Sequence, residues 1–346
     1  MSGTAARLRA LSPSTSSAHR LSRRRDGRVD SARPEFVKEA GRHRVVDWFA
    51  PLLPESRAAT FRTICYLFVI ADMHLIVRDP IPLSRHPELY RPLLLERLLF
   101  LPSPSLPLTI ALYLILILGS LVAAANRLPR AAGFVVAAAF TWWTAIGMSY
   151  GKVDHDHLAL VVALWVLPTV GTIPARGASG ERSRQAGWAL KCIQIAVVST
   201  YFLSALTKIR SGGWSLTSWP ESSILMWAII RRPHGVGQFL MAYPEVLHIM
   251  QWFSFTAELT SVVVLWLRGR ALLAAALFWL SFHVFTVAVL YIHFAPTVIC
   301  WLAFAPLERF RPWLSRVVAR WRQRTGRRPT RHPVPVSRDQ AVDGSG

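Results

Sequence analysis

The sequence predicts an all-α, polytopic helical bundle of the cytoplasmic membrane, with about eight transmembrane helices and both ends inside. Three observations carry this. The 346-residue chain is 52% hydrophobic and only 17% charged, with positive mean hydropathy, which is more apolar surface than a water-facing fold hides. Its apolar runs approach the roughly 20 residues that cross a hydrocarbon core. Its basic residues, which give a formal net charge of +21, gather at the two ends and in short breaks between the runs, where an anionic inner leaflet selects them. Basic tails also suit nucleic acid, but bilayer-length apolar runs are foreign to that class. Membrane lipids are therefore expected as partners and nucleic acid is not.

Residues 1–44 are rich in Ser and Arg and lack an apolar h-region, so a disordered cytoplasmic tail is expected rather than a cleavable signal peptide. Residues 45–308 hold the transmembrane domain. Its spans read near Phe61–Val77, Leu108–Ala125, Ala131–Tyr150, Leu158–Ile173, Leu190–Thr207, Val246–Leu267, Ala271–Tyr291 and, as a short one, His293–Pro306. With the amino terminus inside, the basic breaks Arg127/Arg130, Arg176/Arg182/Arg184 and Arg268/Arg270 all fall inside. Outside lie 78–107, 151–157, 208–243 and the turn at Ile292. Within the third of these, SSILMWAIIRR at 222–232 reads as a short apolar helix lying at the interface or folding back on the bundle. In the closing segment, residues 309–346, Phe310, Trp313, Leu314, Val317 and Trp321 recur three or four apart among arginines. That stripe predicts an amphipathic helix on the inner leaflet. Cys65, Cys192 and Cys300 sit in separate apolar segments without CxxC or Cys/His spacing, so neither a disulfide framework nor a metal site is expected.

Ionisable residues inside such spans cost several kcal/mol unless they face the bundle interior, so each is a functional candidate. The chain carries Arg62, Asp72 and His74 in the first span, Glu258 in the sixth, His283 in the seventh, Lys208 closing the fifth, and Asp154, His155, Asp156 and His157 at the mouth of the fourth. Asp72, His74, the His155/His157 cluster, Lys208 and His283 all fall in the outer half of the bilayer, which predicts one polar cavity open to the outside. Each also has a structural reading. Arg62 and Asp72 are nearly three helical turns apart, cannot pair with one another, and each needs a partner on another helix. Lys208 fits a headgroup anchor, the 154–157 cluster a wet loop, and His283 and Glu258 hydrogen-bonded bundle residues. As chemistry, a lysine at the edge of an apolar pocket is a plausible base, with histidines to bond a phenolic or carbonyl oxygen. No Gly-rich phosphate loop, nucleophile elbow or HExxH is present.

Four segments, FR…AD with Phe61, Arg62, Ala71 and Asp72, KVDHDHLAL at 152–160, TYFLSALTKIRSGGW at 200–214 and FHVFTVAVLYIHFAP at 282–296, resemble the membrane domain shared by vitamin K-dependent gamma-carboxylases and their bacterial relatives, the HTTM (horizontally transferred transmembrane) proteins. The resemblance implies a reduced quinone as cofactor and Lys208 as the base that deprotonates it. It assigns the family's loop histidine to His155 or His157, since a leucine follows three residues after each, and matches His283 to the histidine of the family's FH motif. Arg62, Asp72 and Trp214 join the expected cofactor-binding set. The chain departs from the carboxylases by one extra residue between Lys208 and Trp214, by Thr207 in place of a second lysine, and by a basic tail where they carry a large lumenal region. The expectation is therefore a membrane pocket with quinone-type chemistry rather than carboxylation of a docked protein. The alternative is a non-catalytic membrane subunit or lipid-binding protein; a transporter is disfavoured because neither an internal repeat nor a pair of broken spans is visible. Convergence of Lys208, one of His155/His157 and His283 on one cavity separates the first reading from the second.

Overall fold

A computed structural model of the protein describes residues 44–173 and 181–309. The chain divides into units at Val45/Val46, and the second carries every helix named here. The two basic tails, apart from residues 44 and 309, and with them the aromatic stripe from Phe310 to Trp321, lie outside the described residues, as does Arg176.

Among the described residues the bundle is all-α but for one pair of two-residue strands, in which Leu53 faces Ser183 and Pro54 faces Arg182. Its principal helices are α1 (Glu55–Leu75), α2 (Leu106–Ala124), α3 (Pro129–Met148), α4 (Leu158–Val166), α5 (Arg184–Ser211), α6 (Ile224–Arg231), α7 (Pro244–Thr260), α8 (Gly269–Leu290) and α9 (Ala295–Cys300). Among the described residues six helices are long and apolar enough to cross a membrane: α1, α2, α3, α5, α7 with its 3₁₀ extension to Trp266, and α8. The segments read as the fourth and eighth spans form the shorter apolar helices His155–Val170 and Ala295–Phe304, both below the length of a full crossing. Pro168 accounts for the first: the helix gives way to a 3₁₀ turn at Leu167–Val170 that ends at Gly171, φ 76°. Conversely α5 runs 28 residues against the expected Leu190–Thr207. Arg184, Gln185, Lys208 and Arg210 lie beyond the expected span, and such unbranched residues continue a helix well.

Local chemistry sets the boundaries. Ser183 caps α5 by accepting from Ala186 N, and prolines occupy the first turn of α2, α3, α7 and α9. The α2–α3 turn needs Asn126 and Leu128 at φ 58° and 45°. At Gly133 an added Cβ would stand 2.5 Å from the Tyr66 hydroxyl and 2.6 Å from Pro168, so only glycine lets α3 lie this close to α1.

The core joins Phe61, Tyr66 and Val69 of α1 to Leu116, Phe140, Trp143, Leu160, Leu164, Leu190 and Ile193. Burial is graded: 56% of the α3 apolar window is buried but only 17% of that of α8. The outer faces of α2, α7 and α8 instead carry exposed Leu118, Phe253, Leu273 and Val284, the inside-out pattern of a lipid-facing helix.

Contacts gather the basic breaks at one end. Arg62 of α1 donates to Gly171 O at 2.6 Å and to Asn126 Oδ1. Trp48 stacks on Trp266 with centroids 5.8 Å apart. Arg57 grips Glu308 with two hydrogen bonds of 2.7 Å. Burial alone would raise the Glu308 carboxyl, but the Arg57 hydrogen bonds and charge outweigh it and hold it below the ordinary glutamate range. At the opposite end, the fully buried Glu96 orders the long 78–107 segment: it accepts from Tyr90 Oη at 2.9 Å, from Leu93 N at 2.8 Å and from Ser149 Oγ. Burial and this carboxylate push the Tyr90 phenol well up.

Candidate functional site

Helical spacing builds the site. On α5, Tyr201, Ser204 and Lys208 are three and four apart, and on α7 so are Gln251, Ser254 and Glu258; α8 contributes His283, Thr286 and Leu290 in the same way, so each helix turns one face to a common space. These faces, with α6 and with His155 from the 3₁₀ turn His155–His157, line a cavity of about 260 Å³. The segment at 222–232 therefore folds back on the bundle: Ile224, Leu225 and Ala228 of α6 form part of the wall. Gln251 ties the preceding loop down, donating to Trp219 O and Ser222 O at 2.6 Å each and accepting from Leu225 N at 2.9 Å.

Two polar groups line the cavity. Lys208 Nζ donates to Glu258 Oε2 and lies 4.2 Å from the centroid of the Trp219 ring, a cation held by a carboxylate and an aromatic face. Its side chain is 18% exposed and that of Glu258 10%, so the pair belongs to the bundle and not to the headgroup layer. In the second group, Trp301 Nε1 donates to Tyr201 Oη at 2.8 Å, and Tyr201 Oη lies 2.7 Å from His283 Nε2. Tyr201 is stacked on Trp279 with centroids 3.8 Å apart. The Phe294 ring stands between the two cavity histidines, 6.0 Å from His155 and 5.2 Å from His283.

The structure thus brings Lys208, His155 and His283 to one cavity and adds Glu258. The remaining residues of the expected set lie elsewhere. His157 is buried between carboxylates, its Nε2 3.1 Å from Asp72 Oδ2 and its Nδ1 3.2 Å from Asp156 Oδ1. This is the interhelical partner that Asp72 required, and it occupies both ring nitrogens. His157 borders a second, more polar cavity of about 200 Å³ lined also by Lys152, Asp154 and Arg232; His155, Ile292 and Phe294 line both. Arg62 found its partners at the basic end, away from the cavity. Trp214 is 68% exposed at φ 66° and closes α5 through its N–H to Ile209 O. His74 bonds Ile70 O and Tyr113 Oη. Among the described residues no cluster of His, Cys, Asp and Glu is arranged to hold a metal.

Sequence reasoning passed over Tyr201, Trp219, Gln251 and Trp301, because it searched the spans for charge and these are neutral. A usable signal existed for Tyr201, which lies seven residues before Lys208 on the same face. Trp301 and Trp219 meet the site only through tertiary folding. Comparison with known proteins finds no family model, no curated protein and no solved structure that matches this chain.

Proposed function

We propose that this is a multi-pass protein of the cytoplasmic membrane with both ends inside, its six long helices and, with the bilayer thinned around them, its two shorter apolar helices making eight crossings, whose outward-facing cavity binds a quinone or similar lipid-soluble molecule and uses Lys208 as a base. The observation that carries the reading is the convergence of Lys208, Glu258, His155 and His283, from four separate stretches of chain, on one cavity. Supporting the orientation, the breaks bearing Arg127, Arg130, Arg182, Arg184, Arg268 and Arg270 share the end opposite to it. The resemblance of the four motifs to HTTM and gamma-carboxylase membrane domains supplies the quinone and the role of Lys208.

The chemistry is a proton transfer. Lys208 rests against Glu258, so it acts as a base only once its own proton has moved to that carboxylate; the neutral amine then takes the proton of a ligand hydroxyl. The sum is one proton passed from the ligand to the Lys208–Glu258 pair, leaving an oxyanion on the ligand. His155 and His283 stand where they can bond the developing charge. Trp219, Phe282 and Phe294 keep the cavity apolar around it.

One observation favours the alternative, a non-catalytic lipid-binding protein or subunit: the Lys208–Glu258 bond is also what a structural interhelical ion pair looks like. Mass spectrometry of lipids co-purified from a quinone-containing membrane tests the proposal. A stoichiometric quinone lost in Lys208→Ala, Glu258→Gln double variants supports it. A different lipid class, or none, overturns the quinone assignment.

A further inference from the structure

The hydrogen bonds around Tyr201 fix more than a position. An indole N–H only donates, so Tyr201 Oη must accept from Trp301. Two proton arrangements then satisfy the 2.7 Å approach of Tyr201 to His283 Nε2. In the first, the phenol donates to Nε2 and His283 carries its hydrogen on Nδ1. In the second, Nε2–H donates to the phenol. The phenol hydrogen then has no acceptor, because among the described residues Trp301 and His283 are the two partners of that oxygen. Tyr201 and His283 are only 5% and 4% exposed, so a stranded hydroxyl is costly here and the first arrangement leaves fewer groups unsatisfied. An imidazolium would need a carboxylate, and none bonds this ring.

The first arrangement leaves one group unmatched, the Nδ1–H of His283, which is buried and has no partner among the described residues. Helical position does not explain this. His74, also inside a long helix, satisfies Nδ1 on the carbonyl four residues earlier, Ile70 O, at 2.7 Å, whereas His283 makes no such bond to Trp279. His283 lines the cavity that also holds Lys208.

We infer that Trp301 and Tyr201 act as positioning residues that lock His283 in the neutral Nδ1–H tautomer, so that it offers the cavity a fixed donor for an acceptor oxygen of the ligand, a carbonyl or an ionised phenolic oxygen. The tautomer stands on the hydrogen-bond geometry alone; the ligand class rests on the proposed function. The arrangement complements Lys208: the lysine takes a proton from the ligand, and His283, lining the same cavity, presents a donor that cannot itself accept at that nitrogen, which suits an oxygen becoming negative.

Solid-state ¹⁵N NMR of the full chain in phosphatidylcholine/phosphatidylglycerol vesicles reads the tautomer directly. Phe282–His283 is the only Phe–His step in the sequence, so carbonyl-¹³C phenylalanine with uniformly ¹⁵N-labelled histidine assigns His283 without substitution. Protonated Nδ1 with bare Nε2 is expected, and loss of the single tautomer in Tyr201→Phe. Protonated Nε2 in the unsubstituted chain overturns the inference, whatever binds. Adding duroquinone should then shift the Nδ1 resonance and lower the probe's C=O stretch in the infrared. His283→Asn, which retains a donor near the Nδ1 position, should bind the probe within about threefold of the parent, and His283→Phe about tenfold more weakly, one donor bond's worth at ~1.4 kcal/mol per decade. An Nδ1–H tautomer that ignores duroquinone removes the quinone reading and the ligand half of this inference, while the tautomer lock stands.

Discussion

Asp72→Asn tests a buried electrostatic pair inside the bundle, Asp72 with His157. The Asp72 side chain is wholly buried and its Oδ2 meets His157 Nε2 at 3.1 Å; its other oxygen has no partner among the described residues. Asparagine keeps the volume, so no cavity opens and the loss is electrostatic. Removing one member of a buried pair generally costs about 3–5 kcal/mol, because the survivor is left uncompensated. Here the survivor is not alone, since Asp156 lies 3.2 Å from His157 Nδ1. The cost should therefore fall near the bottom of that range, ~3 kcal/mol.

For a chain of 346 residues, at ~2.1 cal/mol/K of unfolding entropy per residue, that corresponds to a fall of about 4 °C in thermal midpoint. Thermal unfolding in one detergent, followed by tryptophan fluorescence, measures it. A cycle with His157→Gln then separates pair from site. If the two residues act as a pair, the double variant should lose about 1.5 kcal/mol or more less than the sum of the singles. An Asp72→Asn protein as stable as its parent, or strict additivity in the cycle, would refute the claim that Asp72 and His157 join α1 to the α3–α4 turn.

Three further outcomes follow from the same geometry. Lys208→Arg keeps a cation beside Glu258 but supplies no neutral amine; if a quinone-linked activity is present, both it and Lys208→Ala should fold and insert while turnover falls about 10²–10⁴-fold, the usual worth of a general base, and full activity in the arginine variant would return Lys208 to a structural role. Arg57 lowers the Glu308 carboxyl, so the folded chain binds fewer protons there than the unfolded one: the contribution, roughly 1–2 kcal/mol at this partly exposed site, should be complete above pH ~5 and fade as pH falls through the lowered value, and Glu308→Gln should flatten that acid limb in a pH series of thermal midpoints. A cysteine introduced at Ser211 should react with an impermeant maleimide added from outside and one at Ser179 should not; the reverse pattern would invert the orientation.

Apolar length and arginine placement made the bundle legible, because a bilayer constrains both over whole segments and the signal survives in a single chain. Span ends are less legible, because an unbranched charged residue ends an apolar run without ending a helix: α5 continues through Lys208 to Ser211, and the lysine expected to close the span pairs with Glu258 in the cavity wall. The site was half legible for a related reason. A charge inside an apolar run announces itself, which exposed Lys208, Glu258 and His283, but depth matching ranked His155 and His157 alike. They differ by two residues in a 3₁₀ turn, and that step turns one ring to the cavity and the other between Asp72 and Asp156. Neutral donors carry no such mark. Trp301 matters because its N–H fixes the direction of the Tyr201 hydroxyl, and that direction decides which nitrogen of His283 bears hydrogen. A fixed donor on His283 suits an oxygen that becomes negative and equally holds a neutral carbonyl, so its tautomer bears on what the cavity binds, whereas the comparison of Lys208→Arg with its parent separates catalysis from binding.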